Sequence, residues 1–438
     1  MLKRLVIEKL FGTFDYSIDL KPEGLTVLTG PNGYGKTTIL RILEELANRN
    51  LFYFLGLHFK KIELAFNELE TIIITKNGSS NVYFQIEEKK TSIQAEKVLE
   101  RITEMLPFMK QTDDIWIDRR NGSRINTKDV LKEVVSLFQR EGKEEHFYAR
   151  SNRKRSPFEF LGLSDPLENY ELPKVLLIKE QRLLRRIQND SERDERYYVR
   201  GSTRPPYYEE IIEGYAERLK GVMDEADVKY AEKSRELDSS YPSRLFNSSV
   251  IISKEDFHSR FGKIKETQKL LAKYDLSVRQ EDISPDFDES NAKALYVYLS
   301  DVESKLQVFD QLLNALNLFS KILNSRKFVN KQVAISKKFG LKFTTNDGVQ
   351  LLLSELSSGE QHEVVLLFDL LFQTVPNTLI LIDEPEMSLH VAWQHEFLPE
   401  LRKIIELRGV TVIVSTHSPQ IIGNDWNAVY DLEREKGI

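Results

Sequence analysis

The sequence predicts an α/β fold: a head built on a parallel sheet, with an antiparallel β portion and a helical insertion separating its two halves. Three observations predict it. Short, largely apolar runs at 25–28 (LTVL), 175–178 (VLLI), 379–382 (LILI) and 410–415 (VTVIVS) read as buried strands, and such continuous runs suit parallel sheets covered on both faces. The β-rich runs at 58–66, 71–76 and 81–87, with a KNGS turn at 76–79, read as a three-stranded antiparallel meander. Between about 190 and 330, apolar residues step by three and four, the spacing of helices.

Taken in order, 5–7 and 17–20 read as strands leading to the run at 25–28, and a helix follows at 38–48. Residues 91–169 are polar and mixed, with short helical pieces such as 127–140. The strand at 175–178 ends in Lys179-Glu180-Gln181-Arg182, at the edge where α/β sheets place ligand-contacting groups. After Pro205 and Pro206, the residues Tyr208, Ile212, Tyr215, Leu219, Val222 and Ala226 form a heptad-like stripe. Ser253 to Asp256 reads as the cap of a second helix, with Phe257, Phe261 and Ile264 on one face. A third helix over 291–324 carries Leu295, Leu299, Val302, Leu306, Phe309, Leu313 and Leu316 at the 3.5-residue spacing of a coiled-coil seam. These helices are too short for a long arm, so a compact bundle or hairpin is expected, with ordinary amphipathic packing as the alternative. Strands return at 333–336, 341–343 and 351–353, with Asn346-Asp347-Gly348 as a turn.

Composition narrows the class. A chain of 438 residues has room for two or three domains, expected here at 1–190, 191–330 and 331–438. With 41% hydrophobic and 30% charged residues it reads as soluble and globular, and no apolar run is long enough to span a membrane. The start MLKRLVIEKL lacks the pattern of a signal peptide, and the absence of cysteine excludes disulfides, cysteine-ligated zinc and thiol catalysis. A cytoplasmic protein is expected. A net charge of −6 argues against a chain coated in nucleic acid. The basic stretches at 150–155 (RSNRKR) and 182–186 (RLLRR) read first as exposed charge on a loop or helix face.

Residues 30–38, GPNGYGKTT, carry the chemistry. Strand, glycine-rich loop and helix follow one another here, the context that makes G-x-x-x-x-G-K-[ST] a phosphate site. Gly30, Gly33 and Gly35, with Pro31, Asn32 and Tyr34 between them, let backbone N–H groups face a polyphosphate, and the helix that follows Lys36 and Thr37 at Thr38 offers its N-terminus to the same anion. Lys36 supplies charge for the β- and γ-phosphates, and the Thr37 hydroxyl suits Mg²⁺. Further along, 356–361 (LSSGEQ) opens a helix with small residues, either an ordinary Ser/Glu cap or a second anion site. Asp383 and Glu384 end the buried run at 379–382, placing one carboxylate for the metal and one to orient an attacking water. His417 follows the last β run, at a strand tip from which an imidazole reaches a γ-phosphate.

These pieces, in this order, resemble the ABC-type ATPases over roughly 1–90 and 330–425. The resemblance identifies GPNGYGKTT as Walker A, LSSGEQ as the signature, and LILIDEPE at 379–386 as Walker B with Glu384 as the catalytic glutamate. Ser388-Leu389-His390 falls at the D-loop, His417 is the switch histidine, and Gln181 stands for the Q-loop glutamine that contacts metal and nucleotide. It implies ATP and Mg²⁺ as cofactors, and a head-to-tail sandwich. One subunit supplies Lys36, Thr37, Asp383 and Glu384, and another supplies Ser357, Ser358, Gly359 and Glu360. A homodimer or a higher homo-oligomer of such pairs is therefore implied. Ser358 departs from the usual second glycine of that motif. The wording IDEPEMSLH and STHSPQII is similar to the OLD-type and SMC-like stand-alone ATPases. With no room expected for a nuclease domain after 417, the chain resembles the ATPase subunits of bacterial anti-phage systems such as PARIS and Septu. That implies a sensor or regulatory ATPase controlling a separate effector, with DNA or a phage-encoded molecule as trigger. The alternatives are an SMC-like ATPase that clamps DNA for repair or maintenance, and a non-hydrolysing scaffold held together by ATP.

Overall fold

The structure is a computed structural model that describes residues 1–77, 81–112, 114–127, 129–131, 157–168, 170–179, 184–186, 208–276, 287–326 and 330–434. The chain forms two compact units. The first comprises Met1–Glu180, Val375–Met387 and His395–Ile438, and the second Gln181–Thr374 and Ser388–Gln394.

The first unit is built on a wholly parallel sheet in the order Val175–Ile178, Leu379–Asp383, Thr411–Ser415, Leu25–Thr29, Val429–Asp431. All four apolar runs expected to be strands are here. Val27, Leu28, Ile380, Leu381, Ile382, Val412 and Val414 are fully buried, which is why no polar alternation shows in their sequence. The helix Lys36–Ala47 packs on this sheet through Ile39, Leu40, Ile42, Leu43 and Leu46. Register brings distant residues together at one end of the sheet. Asp383 lies beside Ser415, and Ser415 lies beside Leu28, one residue before the strand gives way to the glycine loop.

The antiparallel portion is larger than the three-stranded meander expected. Lys61–Phe66, Ile72–Asn77 and Asn81–Ile86 pair as predicted, but they sit inside a six-stranded sheet. Leu2–Leu10 and Phe14–Asp19 extend it on one side and Lys89–Gln94 on the other. That last strand, KKTSIQ, buries only Ile93, so it carries almost no hydrophobic signal. Both sheets share one core, in which Leu5, Ile62 and Ile74 join Leu40, Leu381 and Ile413. The polar stretch after 91 contains more order than its composition suggested: a helix, Ala95–Met105, and a three-stranded sheet of Phe108–Lys110, Ile115–Asp118 and Arg124–Asn126. Trp116 anchors that small sheet, fully buried, with its indole N–H donating to Thr127 Oγ1 at 2.9 Å. Most of the helical piece expected at 127–140 lies outside the described residues, as does the basic stretch at 150–155.

The second unit holds the helices. The stripe expected from Tyr208 begins later, because Tyr208–Glu210 is a strand paired with Leu184–Arg186. The helix is Ile211–Asn247, and its buried face runs through Ile212, Tyr215, Leu219, Met223 and Ala226. Met223 takes the inward place expected of Val222. The second helix, Lys254–Lys273, is capped as predicted, with Ser253 Oγ accepting from Asp256 N at 3.1 Å. The single helix expected over 291–324 is two helices, Ala292–Leu306 and Asp310–Ser325, joined by the 3₁₀ turn Gln307–Phe309. The tighter turn seats Phe309 in the core, 5.3 Å from the Tyr230 ring, and leaves the Leu295–Leu299–Leu306–Leu313–Leu316 face buried throughout. The bundle is clamped by Arg244 on Asp301 and by a bidentate Arg260–Glu303 pair at 2.6 and 2.8 Å.

A three-stranded antiparallel sheet of Lys331–Ser336, Gly340–Thr345 and Gln350–Leu351 follows the bundle. Its last strand is shorter than the 351–353 expected, since Leu353–Glu355 turns into a 3₁₀ helix. Gly340 has a φ of 69°, and a Cβ there would collide with the carbonyl oxygen of Ala216 on the long helix. Helix Ser358–Phe372 then packs against Ile211–Asn247, with the Phe368 and Tyr215 rings edge to face at 4.9 Å.

Candidate functional site

In the first unit the loop at 30–38 is held open by its backbone. Gly30, Gly33 and Gly35 all have positive φ, and Gly35 is the N-cap of Lys36–Ala47 at φ 85°. The backbone conformation demands glycine at Gly35, and a Cβ there would also stand 2.9 Å from Leu10 Cδ2 and force that side chain to shift. Tyr34 packs its ring 5.2 Å from that of Phe14, and its carbonyl accepts from Tyr16 O–H at 2.7 Å. The antiparallel sheet therefore pins the loop from outside, through two residues that the loop motif does not reveal.

Lys36 is only 5% exposed, and its ammonium donates to the loop carbonyls of Gly30 (2.9 Å) and Pro31 (3.3 Å). Burial holds its pKa below the ordinary lysine value, although Glu384, Asp383 and Glu386 pull it upward. Thr37 Oγ1 donates to Asp383 Oδ1 at 3.2 Å, and Ser415 Oγ donates to the same oxygen. A hydroxyl and a carboxylate are hard oxygen donors, the kind Mg²⁺ takes. Their separation matches neighbouring positions on an octahedral ion, roughly 3 Å for bonds of about 2.1 Å. The pair thus fits the metal that the sequence implied.

Glu384 ends the strand in the left-handed region, with φ 45°, a conformation that costs a non-glycine residue roughly 1–3 kcal/mol. Its N–H donates to Ser415 O at 3.0 Å, and its Oε1 lies 3.6 Å from His417 Nε2. The His417 backbone N–H donates to Glu386 Oε1 at 2.7 Å. The bend at Glu384 thus turns its side chain out of the sheet and toward the imidazole. Glu386 and Ser415 did not stand out in the sequence. The signal for Ser415 is its register opposite Asp383, readable only once the strand order is known.

The other candidate segment lies in the second unit. Ser357 is the N-cap of Ser358–Phe372 and forms a capping box with Glu360. Ser357 N and Oγ both donate to Glu360 Oε2, at 2.8 and 2.9 Å. Lys331 Nζ donates to both oxygens of Glu360, at 2.9 and 2.8 Å. Burial raises the Glu360 pKa, but the bonds from Lys331 and Ser357 more than offset it and leave the carboxyl below its usual range. Gln361 Nε2 ties the loop back by donating to Ser354 O and Leu356 O. Gly359 is open, with Ser388 O, at 4.0 Å, the nearest atom to a Cβ placed there, and Ser358 offers its carbonyl to the His362 ring at 2.7 Å. Gln181 lies outside the described residues.

Residues 1–422 match the AAA ATPase domain family. The chain belongs to that family. As an AAA ATPase domain it is also similar to curated proteins. It is 23% identical over 245 residues to "Retron Ec83 probable ATPase" of Escherichia coli, covering 48% of this chain and 45% of that protein. It is 27% identical over 175 residues to "Probable iron chelatin transport ATP-binding protein" of Helicobacter pylori, covering 38% of this chain and 65% of that one. The aligned part is thus less than half of the first relative's length and less than two thirds of the second's. Among solved structures it is similar to the SMC head domain from Thermotoga maritima, at 12% identity, TM-score 0.32 and coverage of 98% and 94%. It is also similar to the Pyrococcus furiosus Smc head domain with an extended coiled coil bound to the C-terminal domain of ScpA, at 14% identity, TM-score 0.32 and coverage of 97% and 91%. No helix among the described residues of this AAA ATPase domain is long and apolar enough to cross a membrane.

Proposed function

We propose that this chain binds ATP with Mg²⁺, hydrolyses it in head-to-tail pairs of chains, and through that cycle controls a separate effector as the sensor subunit of a bacterial anti-phage system. The observation that carries the hydrolytic part is the meeting of Thr37 and Asp383 at 3.2 Å, beside Lys36 and the Glu384–His417 pair. Loop N–H groups and Lys36 hold the β- and γ-phosphates, and Lys36 leaves its own loop carbonyls to do so. Mg²⁺, when bound through Thr37 and Asp383, supplies further charge for the phosphates. Glu384 orients and polarises the attacking water, and His417 donates to the γ-phosphate, with Glu386 fixing its backbone. Ser357, Ser358 and Gly359 act on the nucleotide of a second copy, with Glu360 holding Ser357 in place, and Gln181 would add to the metal's ligands. Residues 191–330 report the state of the site to the partner. Similarity to a retron's ATPase supports the regulatory reading, since that relative is named as the ATPase of such an element.

The test is direct. Glu384→Gln is expected to retain ATP without turning it over, and Lys36→Ala to lose ATP binding. Equal hydrolysis by wild type and Glu384→Gln overturns the catalytic assignment, and full activity of a strict monomer overturns the pairing. For the biological role, phage plating is measured on cells carrying this gene with its neighbours. Protection that survives Glu384→Gln unchanged rules out a role for ATP turnover.

A further inference from the structure

Resting on the reading that Ser357 meets the nucleotide of a second copy, we propose that Lys331 is a positioning residue for that serine, acting as the counter-charge of Glu360. Ser357 has one hydroxyl proton, and it is donated to Glu360 Oε2 at 2.9 Å. To bond a γ-phosphate the serine must turn that proton away from the carboxylate. Glu360 then keeps Ser357 N at 2.8 Å and Lys331 Nζ on both oxygens, so a buried anion is left compensated. Without Lys331 the same carboxylate loses its only charged partner among these bonds. It would hold the serine proton more tightly, and it would present an unscreened negative charge to an incoming polyphosphate.

The position of Lys331 is set by the helical bundle. It is the first residue of Lys331–Ser336, shortly after the helix Asp310–Ser325. Arg326, the C-cap of that helix, pairs with Glu363 at 2.8 Å, and Glu363 lies one turn beyond Glu360 on the helix that Ser357 caps. Two cations, one at either end of the connection from bundle to sheet, therefore hold one face of the same helix. Displacement of the bundle reaches Ser357 through Lys331.

The experiment uses the full chain in a Glu384→Gln background, where ATP-driven pairing accumulates, read by analytical ultracentrifugation. Lys331→Met is expected to weaken pairing about thirtyfold or more, the effect of stripping one partner from a buried charge pair, with ATP binding to each chain unchanged. Lys331→Arg should pair normally. Adding Glu360→Gln to Lys331→Met should restore pairing, because glutamine keeps the cap without the charge; a merely structural lysine would not be rescued this way. Normal pairing by Lys331→Met, or failure of Glu360→Gln to rescue it, overturns the proposal. If instead Ser357→Arg pairs normally in that background and, with Glu384 intact, hydrolyses ATP like wild type, the underlying reading of the serine fails, whatever Lys331 does.

Discussion

Thr37 and Asp383 stand 346 positions apart in sequence, yet the threonine hydroxyl donates to the aspartate at 3.2 Å. Strand order makes this contact. Leu25–Thr29 and Leu379–Asp383 flank Thr411–Ser415, so the glycine loop, the acidic pair and His417 all leave the sheet at the same end.

Ser415 shares Asp383 Oδ1 with Thr37 and is fully buried, which makes it an orienting partner of the proposed metal ligand Asp383. Ser415→Ala is expected to raise the Mg²⁺ concentration for half-maximal ATP hydrolysis by about tenfold, the low end of such outer-partner effects. Metal-free nucleotide binding, measured by fluorescence titration, should be unchanged.

Burial depresses the Lys36 pKa below 10.5. The folded chain therefore releases this proton at lower pH than the unfolded chain does, and the cost of burying the charged form eases as pH rises through the folded pKa. A bound polyphosphate works the other way, favouring the ammonium. ATP affinity is thus expected to fall with rising pH before 10.5 is reached, with proton uptake on binding. Calorimetry in buffers of different ionisation heat measures both.

Gly340→Ala places a Cβ against the Ala216 carbonyl at a positive φ and is expected to destabilise the second unit by roughly 2 kcal/mol or more. Gly221→Ala is the internal contrast. Gly221 lies in the long helix with nothing within 4 Å of its Cβ position, so alanine should stabilise by about 0.5–1 kcal/mol. Urea unfolding of both variants decides the matter.

The Arg326–Glu363 side chains are 3% and 2% exposed, so their charges depend on one another. Arg326→Met alone leaves a buried carboxylate stripped of its ion pair and should cost about 3–5 kcal/mol, whereas pairing it with Glu363→Leu should recover most of that loss. A double-mutant cycle in denaturant provides the measurement.

Much of this candidate site was legible in the sequence because it depends on short local patterns. A glycine loop between strand and helix, an apolar run ending in Asp383-Glu384, and a β run ending at His417 each announce themselves within about ten residues. The antiparallel sheet was half legible. Its central strands alternate clearly, while Lys89–Gln94 buries one side chain and reads as polar loop. The break at Gln307–Phe309 was not legible at all, since the heptad spacing runs straight through it and neither glycine nor proline marks it. The φ of 45° at Glu384 likewise belongs to the bend that the strand end imposes.

The sequence by itself therefore determined an ATPase head with a glycine loop, an acidic strand end and a histidine at a strand tip, because loop curvature and strand burial are coded by neighbouring residues. Only the tertiary structure decided what steadies those residues. Tyr16 on the Tyr34 carbonyl, Ser415 on Asp383, Glu386 on His417 and Lys331 on Glu360 are each ordinary polar side chains in sequence. All of them lie 18 to 32 positions from their partners, beyond any local pattern, and what selects them is strand order, register and the geometry of a hydrogen bond.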